Sequence, residues 1–214
     1  MARPFAIFDF DGTVADSFAE SLQSYNRVAP RLRLRMAQEN EVPRLRRMSA
    51  GQLLDTLGIP MWKLPRLMIA VRADLHDHFR SVRPVPGIAQ ALDELGRAGC
   101  HLAIVTSNSE ENVRNFVVRH GIDGFQTIVA GASIFGKGTR LKRLLKSAGA
   151  DGAAAVYVGD TVPDIRAAHE AGAAAVAVTW GFSDKVPLAA ERPDALAETT
   201  DELAPAILRL FARR

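Results

Sequence analysis

Two aspartates, Asp9 and Asp11, stand two residues apart where an apolar segment ends and a glycine turn begins, in FAIFDFDGT at 5–13. A segment that is apolar on both sides is typical of a strand at the centre of a parallel sheet, and ligands of such sheets bind beyond the carboxyl ends of the strands. An unpaired buried carboxylate is costly, so a cation or a proton must accompany this pair. The spacing favours phosphoryl-transfer chemistry, although Asp-Gly alone is also a common structural turn.

Hydroxyl and amide side chains follow a second apolar segment, at 102–106. Thr106, Ser107 and Asn108 stand where this segment ends. A helix that begins just after them would direct backbone N–H groups at an anion, and the Thr106 hydroxyl would add a donor. The pattern is therefore compatible with phosphate binding, although Ser or Asn ahead of Glu110 also makes an ordinary helix N-cap.

A lysine and a second acidic pair complete the set. Lys137 opens a predicted helix, the end where the helix dipole disfavours a cation, and neutralising a carboxylate and a phosphate oxygen would explain that position. The segment GDTVPD at 159–164 places Asp160 and Asp164 around the turn after a further apolar strand. Mg²⁺ prefers oxygen ligands of this kind, and Asp9 with Asp160 could supply them. Asp164 is equally compatible with a first-turn helix acid favoured by the dipole.

Helical periodicity without a convincing buried strand extends over residues 16–83. We predict helices in this part at 15–29, 31–40, 49–57 and 64–80. From Pro84 onwards, helices and apolar strands alternate, which is typical of βαβ units and a parallel sheet. We predict helices there at 87–98, 110–120, 137–147 and 163–171, strands at 101–106, 126–130, 154–159 and 174–179, and a short strand with a closing helix within 188–212.

The expected fold class is therefore α/β. A Rossmann-like parallel sheet core would be made of residues 1–15 and 84–214, and an all-helical insert of residues 16–83. A chain of 214 residues is long enough to bury a substantial core in this organisation. The four motifs would lie at the carboxyl ends of the strands, where ligands of open sheets bind.

The composition limits the partners and the compartment. The formal net charge is +3. Cys100 is the single cysteine, which rules out an intramolecular disulfide framework and fits a reducing compartment. Without a signal-like N-terminus or an apolar run long enough to span a bilayer, we expect a soluble cytoplasmic protein with no membrane partner. Arginines cluster within 31–47, either as a solvated face or to attract an anionic substrate. Nucleic acid is not expected, because no aromatic residues are interleaved with them.

Taken together, the four motifs resemble those of the haloacid dehalogenase superfamily of phosphohydrolases. They are DFDGT at 9–13, IVTSN at 104–108, Lys137 and GDTVPD at 159–164, and they occur in this order over essentially the whole chain. The helical insert after the first motif is similar to the cap of the phosphoglycolate phosphatase-like branch. The resemblance implies a Mg²⁺-dependent phosphomonoester hydrolase with a Rossmann-like core and a helical cap domain.

The resemblance also implies a role for each acidic residue. Asp9 would be the nucleophile and would form an aspartyl-phosphate, while Asp11 would protonate the leaving oxygen and then activate the hydrolytic water. The Asp9 carboxylate, the Asp11 backbone carbonyl and Asp160 would bind Mg²⁺. Asp164 would act as a ligand through water or as an orienting group.

Further residues are expected to hold the phosphate and the rest of the substrate. Thr106 and the backbone after it would bind the phosphoryl oxygens, and Lys137 would offset the negative charge. Arg46 and Arg47, just ahead of a predicted helix, are candidates for the non-phosphate part of an anionic substrate. The expected substrate-binding set is Gly12, Thr106, Ser107, Asn108, Lys137 and Arg47.

Alternative functions keep the acidic cleft. A dehalogenase of the same fold would not need Asp11 as an acid, so the DFDGT motif favours phosphate esters. A phosphomutase acting on a sugar phosphate would keep every core residue, and a phospho-accepting signalling domain would also use acidic residues, a hydroxyl and a lysine. The long insert argues against the signalling domain. We expect phosphoglycolate as the first substrate to test and a monomer or homodimer as the assembly.

Overall fold

The structure, a computed structural model, describes residues 4–122, 124–131, 136–150 and 152–213. Its first part contains β1 (Phe5–Phe8), β2 (Ala15–Asp16), α1 (Phe18–Val28), α2 (Val42–Leu45), α3 (Ala50–Thr56), α4 (Leu64–His78) and β3 (Arg83–Pro84). Its second part contains α5 (Ile88–Arg97), β4 (His101–Val105), α6 (Glu110–His120), β5 (Phe125–Val129), α7 (Lys137–Ser147), β6 (Ala155–Gly159), α8 (Val162–Glu170), β7 (Ala174–Val178), α9 (Lys185–Ala190), β8 (Ala195–Ala197) and α10 (Thr200–Ala212).

Six parallel strands form the sheet, in the order β5-β4-β1-β6-β7-β8. The central strand is β1, and all four of its residues are buried, as its uninterrupted apolar sequence requires. Phe8 at its end lies opposite Ile104 on β4 and Val158 on β6. Three neighbouring strands therefore end at the same edge of the sheet.

Helices cover both faces of this sheet. On one face Phe8 belongs to an apolar cluster with residues of α5, α6 and α10, among them Phe116. On the other face Ile7 packs in a second cluster with Leu141 of α7 and Ile165 of α8. Alternate residues of one strand thus face opposite helical layers. This arrangement confirms the predicted α/β class with a Rossmann-like parallel sheet.

Residues 17–82, which we call the helical insert, leave the core after β2 and return at β3. These two short strands pair antiparallel, with Ala15 opposite Pro84. The insert has an apolar cluster of its own, which includes Val28, Leu34, Leu45, Leu57 and Leu67. Helices α1 and α4 pack together and are joined by an ion pair of 2.6 Å between Arg27 Nη2 and Asp74 Oδ2. The predicted helical unit thus lies between two strands that pair with each other at its base.

The predicted helix at 31–40 is wrong. A short 3₁₀ helix covers Ala29–Leu32, and Arg33 then adopts a left-handed conformation with φ of 53°, which stops helical continuation. The chain runs extended to a second 3₁₀ turn at Glu39–Glu41 and the short helix α2. The sequence RLRLR at 31–35 alternates polar and apolar residues with a period of two, which does not supply the continuous apolar face of a longer helix.

The other predicted helices form close to their expected bounds. Those predicted at 110–120 and 137–147 are α6 and α7, and the helix predicted from residue 15 begins three residues later because Ala15–Asp16 is a strand. The longest helix in the described ranges is α4, with 15 residues. None of the described helices combines the length and the apolar character that crossing a membrane requires.

Candidate active site

The three strands that end together bring three of the four motifs to one place. Asp9 follows β1, Thr106 follows β4 and Asp160 follows β6, and all three side chains are buried. The sheet hydrogen bonds continue past the strand ends, from Asp9 N to Val158 O at 2.8 Å and from Thr106 N to Val129 O at 3.0 Å. The backbone at this edge is therefore fixed by its neighbours on both sides.

Three carboxylates form the acidic centre of this edge. One oxygen from each of Asp9, Asp160 and Asp164 lies within 4.8 Å of the other two. Burial, as the main cause, raises the pKa of Asp9 to about 7 and raises that of Asp160 well above its ordinary value, and the neighbouring carboxylates add to both shifts. Such a buried concentration of hard oxygen donors fits a divalent cation, which would stabilise the charged carboxylates.

Lys137 is the fourth motif and opens α7 beside this centre. Its Nζ lies 2.9 Å from Asp9 Oδ2 and 2.5 Å from Asp164 Oδ1. Burial alone would lower the pKa of Lys137, but the carboxylates of Asp164 and Asp9 raise it well above its ordinary range, so the side chain is an ammonium. The ion pairs account for a cation at a helix N-terminus, as the sequence led us to expect.

Asp164 is held by partners on both of its oxygens. Besides Lys137, Oδ1 accepts a hydrogen bond from the Tyr157 hydroxyl at 3.3 Å. Oδ2 accepts from the backbone N and the hydroxyl of Thr161, at 3.0 and 2.5 Å, as the capping residue of α8. The sequence left a choice between a first-turn helix acid and a group near the metal. The geometry places Asp164 as an N-terminal helix acid that also orients Lys137.

Asp160 is held by a different set of segments. Its Oδ1 accepts from the Thr13 hydroxyl at 3.0 Å, and its Oδ2 accepts from Phe182 N at 2.7 Å. The turn at Gly12 passes so close that a Cβ there would collide with Asp160 Oδ2, and its φ of 77° also requires glycine. Gly12 therefore shapes the turn against the carboxylate, and the side chain of Thr13 orients the same group.

Asp11 lies beside the acidic centre with neutral partners. The Asn108 amide donates to both of its oxygens, at 3.1 and 3.0 Å, and the Ser17 hydroxyl donates to Oδ1 at 3.0 Å. Burial raises the pKa of Asp11, while these hydrogen bonds oppose the shift. The side-chain oxygen of Asn108, Oδ1, accepts hydrogen bonds from Ser109 N and Asn112 Nδ2. These bonds fix the side-chain amide with its N–H groups towards Asp11. Asp11 thus combines a buried carboxyl group with neutral hydrogen-bond donors on both oxygens.

A cavity of about 460 Å³ joins this edge to the inner side of the helical insert. The core contributes Ser107, Lys137, Thr161 and Phe182 to its lining. The insert contributes mainly apolar side chains from α1, α3 and α4, such as Leu22, Leu53 and Val71, together with Arg46. A small ligand could therefore reach Lys137 with one end and contact the insert with the other.

Arg46 and Arg47, neighbours in sequence, occupy different environments. Arg47 Nε lies 2.9 Å from Asp184 Oδ2 on the core, with the Arg47 side chain 70 % exposed. Among the described residues that line the cavity, Arg46 is present and Arg47 is not. The predicted substrate contact of Arg47 is therefore replaced by an ion pair between the insert and the core.

Sequence reasoning missed several polar groups that orient the predicted residues. Ser17, Asn112 and Tyr157 contact Asp11, Asn108 and Asp164, respectively. Of these, only Asn112 carried a usable signal, because it stands four residues after Asn108 at the start of a helix. The remaining partners depend on how distant segments approach one another.

Comparison with known proteins agrees with this geometry. The model of the haloacid dehalogenase-like hydrolase family matches residues 6–178. A phosphoglycolate phosphatase of Synechococcus elongatus is 36 % identical over 206 residues, which cover 96 % of this chain and 97 % of that protein.

Two crystal structures share the fold. A predicted phosphoglycolate phosphatase from Haemophilus somnus has a TM-score of 0.73 at 23 % identity, covering 95 % of this chain and 97 % of the other. A predicted phosphatase from Clostridium acetobutylicum has a TM-score of 0.80 at 18 % identity, covering 98 % of this chain and all of the other. The family model and the Synechococcus elongatus relative show that the protein belongs to the haloacid dehalogenase-like hydrolase family and is a phosphatase.

Proposed function

We propose that the protein hydrolyses a small phosphate monoester by way of a phosphoryl group carried on Asp9, with Mg²⁺ as the cofactor. The observation that carries this proposal is the buried pairing of Asp9 with Lys137 at an edge where two further carboxylates converge. A carboxylate in such a place can act as a nucleophile once its charge is balanced. Asp11, two residues on, supplies the proton exchange that ester cleavage needs.

The two halves of the reaction use the same two aspartates. In the first, an Asp9 oxygen forms a bond to phosphorus as the ester oxygen leaves, and the leaving oxygen takes the proton of Asp11. In the second, a water molecule gives a proton to Asp11 and attacks phosphorus, and the bond to Asp9 breaks to release inorganic phosphate. The raised pKa of Asp11 supports the first step, because an acid must hold its proton near neutral pH.

Mg²⁺ fits the donor set at this edge. Asp9 and Asp160 supply the carboxylate oxygens, and the main-chain carbonyl of Asp11 is expected to add a ligand. The bound ion would neutralise charge on the phosphoryl oxygens. Asp164 is assigned the role of orienting Lys137, because hydrogen bonds occupy both of its oxygens.

The phosphate site is proposed to lie between β4 and α7. The hydroxyl of Thr106 is buried at the end of β4, and α6 begins shortly after it with Ser109 as its N-cap. Ser107 and Lys137 both line the cavity. Together they would bind the phosphoryl oxygens, with Asn108 positioned to contact both the phosphate and Asp11.

Phosphoglycolate is the first substrate that we propose, because the similar curated protein of Synechococcus elongatus bears the name of that activity. The helical insert would act as the cap that encloses the organic part of the ester. The cap domain would be residues 16–83, which are the helical insert with one flanking residue at each end, and the catalytic core would be residues 1–15 and 84–214.

The test is phosphate release from phosphoglycolate, sugar phosphates and nucleotides, with Mg²⁺ and with EDTA, by the wild type and by Asp9→Asn. We expect release that needs Mg²⁺ and is lost in the variant. Asp93→Asn, at an exposed position on α5, is the matched control and should keep full activity. Release that persists in Asp9→Asn would remove Asp9 from the reaction, and conversion of a sugar phosphate into its isomer without phosphate release would identify a mutase.

A further inference from the structure

Arg46 lines the cavity on the side of the helical insert. It follows α2, and its side chain is half-buried. Its Nη2 donates to the backbone oxygen of Thr179 at 2.9 Å, and its Cζ lies 5.5 Å from the centre of the Phe18 ring. The guanidinium is therefore seated between an aromatic ring and a core carbonyl, next to open space.

The charge of Arg46 is not balanced by the part of the chain that the structure describes. No described carboxylate lies within ion-pair distance of it, whereas the adjacent Arg47 pairs with Asp184. The Nε of Arg46 is buried and has no hydrogen-bond acceptor among the described residues. A guanidinium cannot lose its proton in a protein, and a buried polar atom such as this Nε is normally hydrogen-bonded. The position of Arg46 thus lacks an anion.

The missing anion would lie close to the catalytic edge. The Phe18 ring beneath Arg46 contacts the Phe182 ring, with 5.4 Å between the ring centres, and Phe182 N donates to Asp160. Only two of the described residues that line the cavity are cationic, Arg46 on the insert and Lys137 on the core. The rest of the insert wall is mainly apolar. A ligand that enters the cavity therefore meets one cation from the insert and one from the core.

We propose that Arg46 binds a carboxylate on the organic part of the phosphate ester and so determines substrate specificity. This inference rests on the proposed function, since it takes the phosphoryl group to be held at the Lys137 end. The planar guanidinium matches a carboxylate in geometry, and a charge-assisted bond of this kind is strong inside an apolar cavity. The favoured substrates are short phosphorylated hydroxy acids, and neutral alcohol esters of the same size are disfavoured.

The experiment measures binding of two phosphonates that the enzyme cannot hydrolyse, 3-phosphonopropionate and propylphosphonate, by calorimetry with Mg²⁺ present. They differ in a terminal carboxylate. The wild type should bind the carboxylate-bearing compound about 10- to 100-fold more tightly, the range for a hydrogen-bonded charge pair. Arg46→Met, which replaces the stem of the side chain with an unbranched apolar one and removes the guanidinium, should bring the ratio of the two dissociation constants to about 1. Arg47→Met should retain the wild-type ratio.

Three results would overturn the assignment. Equal affinity of the wild type for both phosphonates would do so without any variant. If Arg46→Met keeps the wild-type ratio of dissociation constants, another residue binds the carboxylate. If Arg46→Met weakens the binding of both compounds by the same factor, Arg46 serves only to hold the insert against the core. If Arg46→Met does not fold, Arg46→Lys replaces it. Because Lys lacks the planar fork, we expect it to lower the ratio but keep some preference for the carboxylate.

Phosphate release measured on the same samples separates this inference from the proposed function. If the wild type distinguishes the phosphonates but hydrolyses no ester, the phosphatase mechanism fails and the role of Arg46 stands. If the wild type hydrolyses esters but binds both phosphonates equally, the mechanism stands and the role of Arg46 fails.

Discussion

The carboxyl edge of the sheet and the inner wall of the helical insert face one cavity, but they differ in charge balance. Among the residues that the structure describes at the edge, four carboxylates accompany one ammonium, namely Asp9, Asp11, Asp160, Asp164 and Lys137. On the insert wall, Arg46 is a cation without a carboxylate partner among the described residues. The edge thus requires added positive charge and the wall requires added negative charge. We therefore expect the two regions to bind different parts of the same ligands. The edge would bind a cation together with the phosphoryl group, and the wall would bind an anionic group of the organic part.

The two regions also differ in how their charged groups are held. Asp9, Asp11 and Asp160 contact segments that are far apart from them in sequence, as when Thr13 donates to Asp160 from 147 positions away. The Arg46 guanidinium has one hydrogen bond to the core, through Thr179, and rests on a ring of its own insert. Groups fixed in advance are what stabilisation of a transition state requires. Chemistry should therefore depend on the edge, and selectivity on the wall.

After the loss of the proposed nucleophile Asp9, the largest effect is expected from removing Lys137, the cation that pairs with it at the edge. Lys137→Met should lower kcat/KM by about 10²- to 10³-fold, the usual loss for one electrostatic contact to a reacting group. The buried Asp9 carboxylate would then lose the partner that holds its pKa down. The measurement is steady-state phosphate release. Lys142→Met on the same helix, at an exposed lysine, is the control and should keep wild-type activity.

Stability as a function of pH tests the excess of negative charge at the edge. Burial raises the pKa of Asp9 from 3.8 to about 7, so the folded, metal-free protein retains a proton that the unfolded chain releases. The contribution of this proton to the free energy of unfolding is fully present below the pKa of Asp9 in the unfolded chain. It is lost as the pH rises through the pKa in the folded protein, at about 1.4 kcal/mol for each pH unit between the two values. Between pH 4 and 7 the wild type should thus lose stability relative to Asp9→Asn.

Urea unfolding of both proteins in EDTA, at a series of pH values, measures this difference. Mg²⁺ should stabilise the wild type more at alkaline than at acidic pH, because its carboxylate ligands must be deprotonated to bind it. A constant difference between the two proteins across the range would show that Asp9 does not retain a proton in the folded state.

A smaller effect is expected at the proton-exchanging group of the edge. The Asn108 amide donates to both oxygens of Asp11 and lowers its pKa, so Asn108→Ala should raise that pKa. Because the acid must be protonated, the alkaline fall of kcat/KM should then move to higher pH. Activity at the optimum should fall by about 10-fold through the lost hydrogen bonds. Asn115→Ala, at an exposed asparagine of α6, should leave the pH profile unchanged.

The sequence predicted the edge better than the wall for physical reasons. Buried parallel strands are nearly continuous apolar runs, so the ends of β1, β4 and β6, and the polar residues there, could be located from the pattern alone. The contact of Phe182 N with Asp160 could not, since a backbone N–H carries no sequence signal. On the insert, periodicity misassigned residues 31–40, and the choice between Arg46 and Arg47 depended on the direction of the chain after α2.

The smallest effect is expected from Arg47, at the contact between the two regions. The sequence favoured a role in substrate preference, but the side chain is 70 % exposed and pairs with Asp184 on the core surface. Exposed ion pairs contribute about 0 to 1 kcal/mol, so Arg47→Ala should change the free energy of unfolding by at most about 1 kcal/mol. Turnover of phosphoglycolate and of a neutral ester should change by the same factor, of about 3 or less. Steady-state kinetics on both esters provide the measurement. A loss of turnover that is confined to phosphoglycolate would assign substrate specificity to Arg47 and remove the distinction between the two arginines.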